Sequence, residues 1–188
     1  MTIYFFCEDN FFSSGAVALL QSHNVLAEVI DRDRANHSFS KDDVVIIETT
    51  CDLIIKNMVT QATHDGANFL LVFDIPCHIT QSVIWSHNHF SKKIDKHTLI
   101  NLLQHIKIHN NKYREDLSLC EIQVMVLLLK GRKTDEISLN FGIPLKKVLE
   151  HKNSALIKTG IINDNSLYLL NFKKIITAQY YCEHAQVK

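Results

Sequence analysis

Asp42-Asp43-Val44-Val45-Ile46-Ile47-Glu48 sets four consecutive β-branched residues between carboxylates. Branching at Cβ favours an extended chain, and a run with no polar alternate positions has no side to turn toward water. It therefore reads as a strand covered on both faces. Working outward, Ile3 to Cys7, Asn68 to Phe73 and Ser82 to Trp85 share this character, and a shorter run lies at Ala27 to Ile30. Helical spacing fills the intervals. Ser13 to Ser22 carries Val17, Leu19 and Leu20, Leu53 to Ala62 follows, and Lys96 to His109 puts Leu99, Leu102, Leu103 and Ile106 on one stripe. Strand alternating with helix predicts a parallel α/β sheet.

The chain has 188 residues, enough for one or two domains, with 46% hydrophobic and 21% charged residues, five Gly and two Pro. That composition excludes collagenous, low-complexity and disordered classes. Twenty basic side chains balance twenty acidic ones, which excludes a uniformly basic nucleic-acid coat. The balance is uneven along the chain. Residues 1–55 hold three basic side chains against nine carboxylates, whereas residues 130–158 hold seven against three. The second stretch is the candidate polyanion-facing end.

Cys7, Cys51, Cys77, Cys120 and Cys182 are odd in number and form no CxxC pair, so neither a disulfide framework nor a zinc ribbon is indicated. They read as reduced, mostly buried thiols. The apolar run Ile3 to Cys7 is too short for a signal segment or a membrane span, and a cytoplasmic protein is expected.

After a polar stretch from about Ile108 to Asp116 the pattern turns entirely helical. Ser118 and Glu121 have capping-box spacing, Val124, Leu127 and Leu128 face a core, and Lys130-Gly131 closes this helix. A second helix starts near Thr134, whose hydroxyl can cap it, and ends before Gly142, with Ile137 and Leu139 as inward candidates. Pro144 suits the first turn of a third helix running toward Lys158, with Val148 and Leu156 inward and Gly160 at its end. Two short helices around a Gly turn, the second rich in Lys and His, match a helix-turn-helix, since one helix fits the B-DNA major groove while the other braces it. On residues alone, nucleic-acid binding and a protein-docking bundle both stay open.

Leu117-Ser118-Leu119-Cys120-Glu121, Val124, Leu127-Leu128, Gly131, Glu136-Ile137, Gly142-Ile143, Val148, His151-Lys152 and Lys158-Thr159-Gly160-Ile161 resemble the LuxR/FixJ (NarL-like) helix-turn-helix family from Leu117 to about Leu170. The resemblance implies double-stranded DNA as partner. It implies DNA contacts by Lys146, Lys147, His151 and Lys152, with Lys133 and Thr134 at phosphate. Dimerisation would run through a last helix from Ser166, with Leu167, Leu170 and Ile175. The chain departs from the family at Pro144 (usually a capping Ser), Lys147 (Thr), Leu149 (polar) and Thr159 (Leu). Leu149 is read as rotated into the core, the outward alternative being contact with a thymine methyl.

Such output domains often follow a receiver domain, and the front half resembles a degenerate one. Glu8 and Asp9 follow the first strand where receivers carry their metal-binding acidic pair, and Glu48 stands at the acceptor Asp position. Asp74 stands where a small hydroxyl residue is usual, and Lys92 or Lys93 lies near the usual Lys. An acyl phosphate needs a carboxylate on a short stem at a fixed distance, and the extra methylene of Glu48 misplaces it. Conventional phosphorylation is not expected.

His64, His78, His87, His89, His97, His105 and His109 crowd one stretch, with His87 and His89 alternating on a strand. Without a third ligand at recognisable spacing they read as surface or satisfied histidines, and no metal or cofactor is expected. The expected architecture is an α/β receiver-like (flavodoxin-like) domain over 1–108, a linker over 109–116, and an all-α four-helix helix-turn-helix domain with a C-terminal extension over 117–188. The expected function is a non-enzymatic transcription regulator, a homodimer or a heterodimer with a response regulator, loosely similar to auxiliary regulators of the RcsA/GadE type. The rival is a protein-interaction antagonist that sequesters a partner regulator.

Overall fold

The computed structural model describes residues 1–30, 37–74, 88–104, 117–161 and 165–185. Along the chain run β1 (Ile3–Cys7), α1 (Asn10–Gln21), β2 (Ala27–Val29), β3 (Val44–Glu48), α2 (Asp52–His64), β4 (Asn68–Phe73), β5 (His89–Ser91) and α3 (Lys96–Gln104). They are followed by α4 (Leu119–Leu129), α5 (Thr134–Phe141), α6 (Leu145–Thr159) and α7 (Ser166–Ala185). The strands form one parallel sheet in the order β2-β1-β3-β4-β5, the doubly wound flavodoxin-like order. In that order the chain reverses direction across the sheet at β1 and β3, so their C-terminal ends, where Cys7 lies in register with Glu48, sit at the switch point.

Alternation along the strands sends side chains to two faces. On one, Ile3, Phe5, Val44, Ile46, Leu70 and Val72 meet Ala16 and Leu20 of α1 and Leu99, Leu102 and Leu103 of α3. On the other, Phe6, Val45, Ile47, Phe69, Leu71 and Phe73 meet Ile55, Val59 and Ala62 of α2 and Leu169, Phe172, Ile175 and Ala178 of α7. Val44 to Ile47 are all buried, as a strand covered on both sides requires. The second core continues through α7 to Met125 of α4 and to Ala155, Leu156 and Ile161 in and just after α6. A smaller cluster of Val124, Ile137 and Val148 joins α4, α5 and α6.

Several local expectations are corrected. α1 begins at Asn10 rather than Ser13, because the Asp9 carboxylate caps it, accepting from the amides of Phe11 at 3.1 Å and Phe12 at 3.0 Å. Lys133 rather than Thr134 occupies the cap position of α5, without a side-chain bond, and Thr134 is the first helical residue. Pro144 is the cap of α6 rather than part of its first turn, its ψ of 142° being extended. Leu139 points to water at 83% exposed while Ile137 is buried, since two residues turn the helix through about 200° and α5 has one covered side. Gly142 and Gly160 end α5 and α6 in the left-handed conformation at φ 61° and 65°.

The expected strand Ser82 to Trp85 and the linker 109–116 lie outside the described residues, and the closing helix is described as far as Gln104. Cys7 is buried, but Cys51 and Cys120 are exposed at the starts of α2 and α4, against the expectation of mostly buried thiols. Among the described residues no helix is long and apolar enough to cross a membrane.

Candidate nucleic-acid interface and the acidic end of the sheet

The switch point gathers the residues singled out at the front of the chain. The Asp9 amide donates to Glu48 Oε2 at 2.9 Å, and the Lys92 ammonium lies 2.9 Å from Asp9 Oδ2 and 3.3 Å from Glu48 Oε1. Glu8 bonds to the residues that follow β3. Its carboxylate accepts from the Thr49 and Thr50 hydroxyls and, at 3.2 Å, from the Thr50 amide. Asp74 is exposed at the end of β4. Of the two lysine candidates, Lys92 enters the cluster and Lys93 is exposed.

The electrostatics follow from these contacts. The Phe12 amide and then the Lys92 ammonium hold the Asp9 carboxyl below the ordinary aspartate range. Burial of Lys92 works against its charge, but the bonds and attraction from Asp9 and Glu48 outweigh it and raise its pKa. Cys7 beside them is pushed up to about 12, by burial first and then by Glu48. Lys174 of α7 is lowered by burial, which the attraction of Glu48, Glu8 and Asp52 only partly offsets. The neighbouring Lys173 forms an ion pair with Asp52.

These side chains do not fit a divalent cation. Glu8 is committed to two threonines, Asp9 to a helix cap, and an ammonium already bridges Asp9 and Glu48. Among the described residues no three His, Cys, Asp or Glu side chains converge on a metal-holding geometry. His89 is buried on β5 with its ring 5.3 Å from that of Phe73, and His64 and His97 are exposed. The other four histidines of that stretch, His78, His87, His105 and His109, lie outside the described residues.

At the other end, α5, a three-residue turn and α6 are locked locally. Ser138 Oγ donates to the Ile143 carbonyl at 2.6 Å across the turn. Glu121 pins α6 to α4: only 4% exposed, it accepts from the Ser118 amide at 2.6 Å, Ser154 Oγ at 2.6 Å and Lys158 Nζ at 3.0 Å. Burial alone would favour its neutral form, yet the bonds from Ser154, Ser118 and Lys158 bring its pKa below the usual glutamate value. The capping box was legible as a spacing. The reach to Ser154 and Lys158 was not.

Lys133, Lys146 and Lys147 are exposed, while Thr134, His151 and Lys152 are half-buried on the flanks. Lys147 pairs with Glu150 at 2.8 Å. Leu149 is 37% exposed on the outer face, which corrects its expected place in the core, because Val148 fills the inward position beside it. Leu145, 40% exposed, and exposed Asn153 share that face and were not singled out from the sequence. Their signal was four-residue spacing from Leu149.

The expected dimerisation residues separate. Leu170 is 54% exposed, whereas Ile175, expected as an interface candidate, is wholly buried in the chain's own core, on the α7 side that packs into the sheet-face core. The side chain of Leu167 lies outside the described residues.

No protein-family model matches the chain, and no curated protein matches it. Solved structures similar to it include two RcsB dimers bound to two parallel DNAs, at TM-score 0.48 and 16% identity over 94% of this chain and 98% of that one. An RcsB–DNA complex aligns at TM-score 0.42 and 17% identity over 92% and 97%. Full-length FixJ from B. japonicum aligns at TM-score 0.39 and 16% identity over 93% and 97%.

Proposed function

We propose that the chain is a DNA-binding transcriptional regulator without enzymatic activity, with a receiver-like unit over 1–108 and a helix-turn-helix unit over 117–188. The observation that carries this reading is the α5–turn–α6 pair, braced by Glu121, with Lys133, Lys146 and Lys147 exposed to water. A helix held rigidly from behind, with cations at its exposed start, has the form required to enter a major groove and contact phosphates. Thr134, His151 and Lys152 are the flanking contacts.

The front unit acts without conventional phosphorylation. Both Glu48 oxygens are engaged, one by the Asp9 amide and one by Lys92, and its longer stem displaces the carboxylate. The regulator works as a homodimer or beside a response regulator. The alternative, an antagonist that sequesters a partner regulator, draws on the exposed apolar residues Leu139 and Leu145.

Salt titration on a fluorescent duplex tests this. Native protein should bind with strong salt dependence, and Lys146→Ala/Lys147→Ala should flatten the log–log slope by about 2, at roughly 0.9 per phosphate contact. The exposed Lys147–Glu150 pair is no obstacle, since such pairs contribute little and yield to phosphate. Absence of binding at low salt would overturn DNA binding by this chain alone, in favour of an obligate heterodimer or the antagonist. Incubation with a small phosphoryl donor and Mg²⁺ should leave the chain unlabelled, and incorporation lost on Asp9→Asn would overturn the claim about phosphorylation.

A further inference from the structure

We propose that the outer face of α6 reads A·T base pairs, Leu145 and Leu149 meeting thymine methyl groups and Asn153 meeting an adenine edge. The inference rests on the DNA-binding reading above and narrows it to a class of sequence. Steps of four residues turn only about 40° around a helix, so 145, 149 and 153 form one shallow stripe. All three are exposed; the stripe runs along the flank of the helix, about 100° around from the buried Val148, Ala155 and Thr159, and the buried Leu156 continues it toward the C-terminus.

The α4–α5–α6 core is closed by Val124, Ile137 and Val148, supported by Leu127, Leu128 and Ile143, without either leucine. Single exposed leucines are ordinary, but here two stand one turn apart near the start of the helix, where a recognition helix meets base edges. The thymine C5-methyl is the apolar group that a base pair offers in the major groove, and contact with it withdraws apolar surface from water on both sides. Asn153 has a donor and an acceptor side by side, matching N7 and the N6 amino group of adenine. α6 contains no arginine, the usual bidentate partner of guanine. Charge selects the occupant: exposed Lys146 and Lys147 stand in the first turn of the same helix, which suits a polyanion carrying methyl groups.

The test uses the full chain on three fluorescent duplexes: alternating A·T, the same with deoxyuridine for thymidine, and alternating G·C. Uracil removes the major-groove methyl and leaves the minor groove and the phosphates as they were. Native protein should bind the thymine duplex about tenfold more tightly than the uracil duplex, in line with one or two base contacts. Leu145→Ser/Leu149→Ser, a change of exposed residues, should bind both alike and keep the native salt slope. Asn153→Ala should lower the remaining preference for A·U over G·C. Salt-dependent native binding that ignores thymine-to-uracil exchange would overturn this inference and leave the DNA-binding reading intact. No binding to any duplex at low salt would overturn this inference together with DNA binding by the chain on its own.

Discussion

A carboxylate as deeply buried as Glu121 is ionised only if donors replace the water it has lost. The Ser118 amide, Ser154 hydroxyl and Lys158 ammonium do so, joining residues over 30 positions apart in sequence. Removing it leaves the Lys158 charge poorly compensated, so Glu121→Ala should cost about 2–4 kcal/mol in denaturant unfolding. Its folded pKa is depressed, so its contribution is complete above the ordinary glutamate range and is lost as pH falls through the depressed value. Stability of the native chain should therefore fall more steeply on acidification below about pH 4 than that of Glu121→Gln, with denaturation midpoints across pH as the readout. Equal slopes would remove Glu121 from the acid response. At this scale the sequence was legible where one residue's partner lies a turn away, as at Ser118, and silent where the partner arrives from another helix. Asp9 shows the same limit in reverse: resemblance made it half of a metal pair, whereas the nearest donors, the amides of Phe11 and Phe12, make it a cap.

Among the elements, β3 and α7 mark the two extremes of legibility. Four β-branched residues in a row leave one reading for β3. In α7, Leu169, Phe172, Ile175 and Ala178 specify an apolar helix side but not whose surface covers it, and at Ile175 a dimer partner was expected where the sheet and α2 lie. Burial of Leu169, Phe172 and Ile175 stabilises this docking by about 2 kcal/mol each, with the Lys173–Asp52 ion pair setting orientation at its exposed edge. Phe172→Ala should cost about 3–5 kcal/mol. The loss should appear in both halves, since Phe172 belongs to the core that runs from β4 to α6. Hydrogen exchange measures this directly: amides of β4 and α6 should lose protection together, and loss confined to α6 would show that the front half does not depend on α7.

For the molecule as a whole, the neutral total separates along the chain into an acidic front and a basic back, with Asp9, Glu48 and Lys92 clustered at the sheet and exposed lysines on α6. If copies pair through α7, they do so by its outward side, which carries Leu170 and Tyr180. Leu170→Glu should then weaken self-association in sedimentation while preserving the fold, whereas Ile175→Glu should unfold the chain at any concentration. Unchanged association of Leu170→Glu would place the interface elsewhere. The parallel sheet and the back helices could be read from periodicity and caps, but the mutual arrangement of the halves could not. It depends on contacts between residues more than a hundred positions apart, such as Lys173 with Asp52. α7 also limits how such a chain can be recombined. Grafting residues 117–188 behind another α/β unit would set Phe172 and Ile175 against an unmatched surface and strip the original sheet of part of its cover, so the two halves are heritable only as a fitted pair.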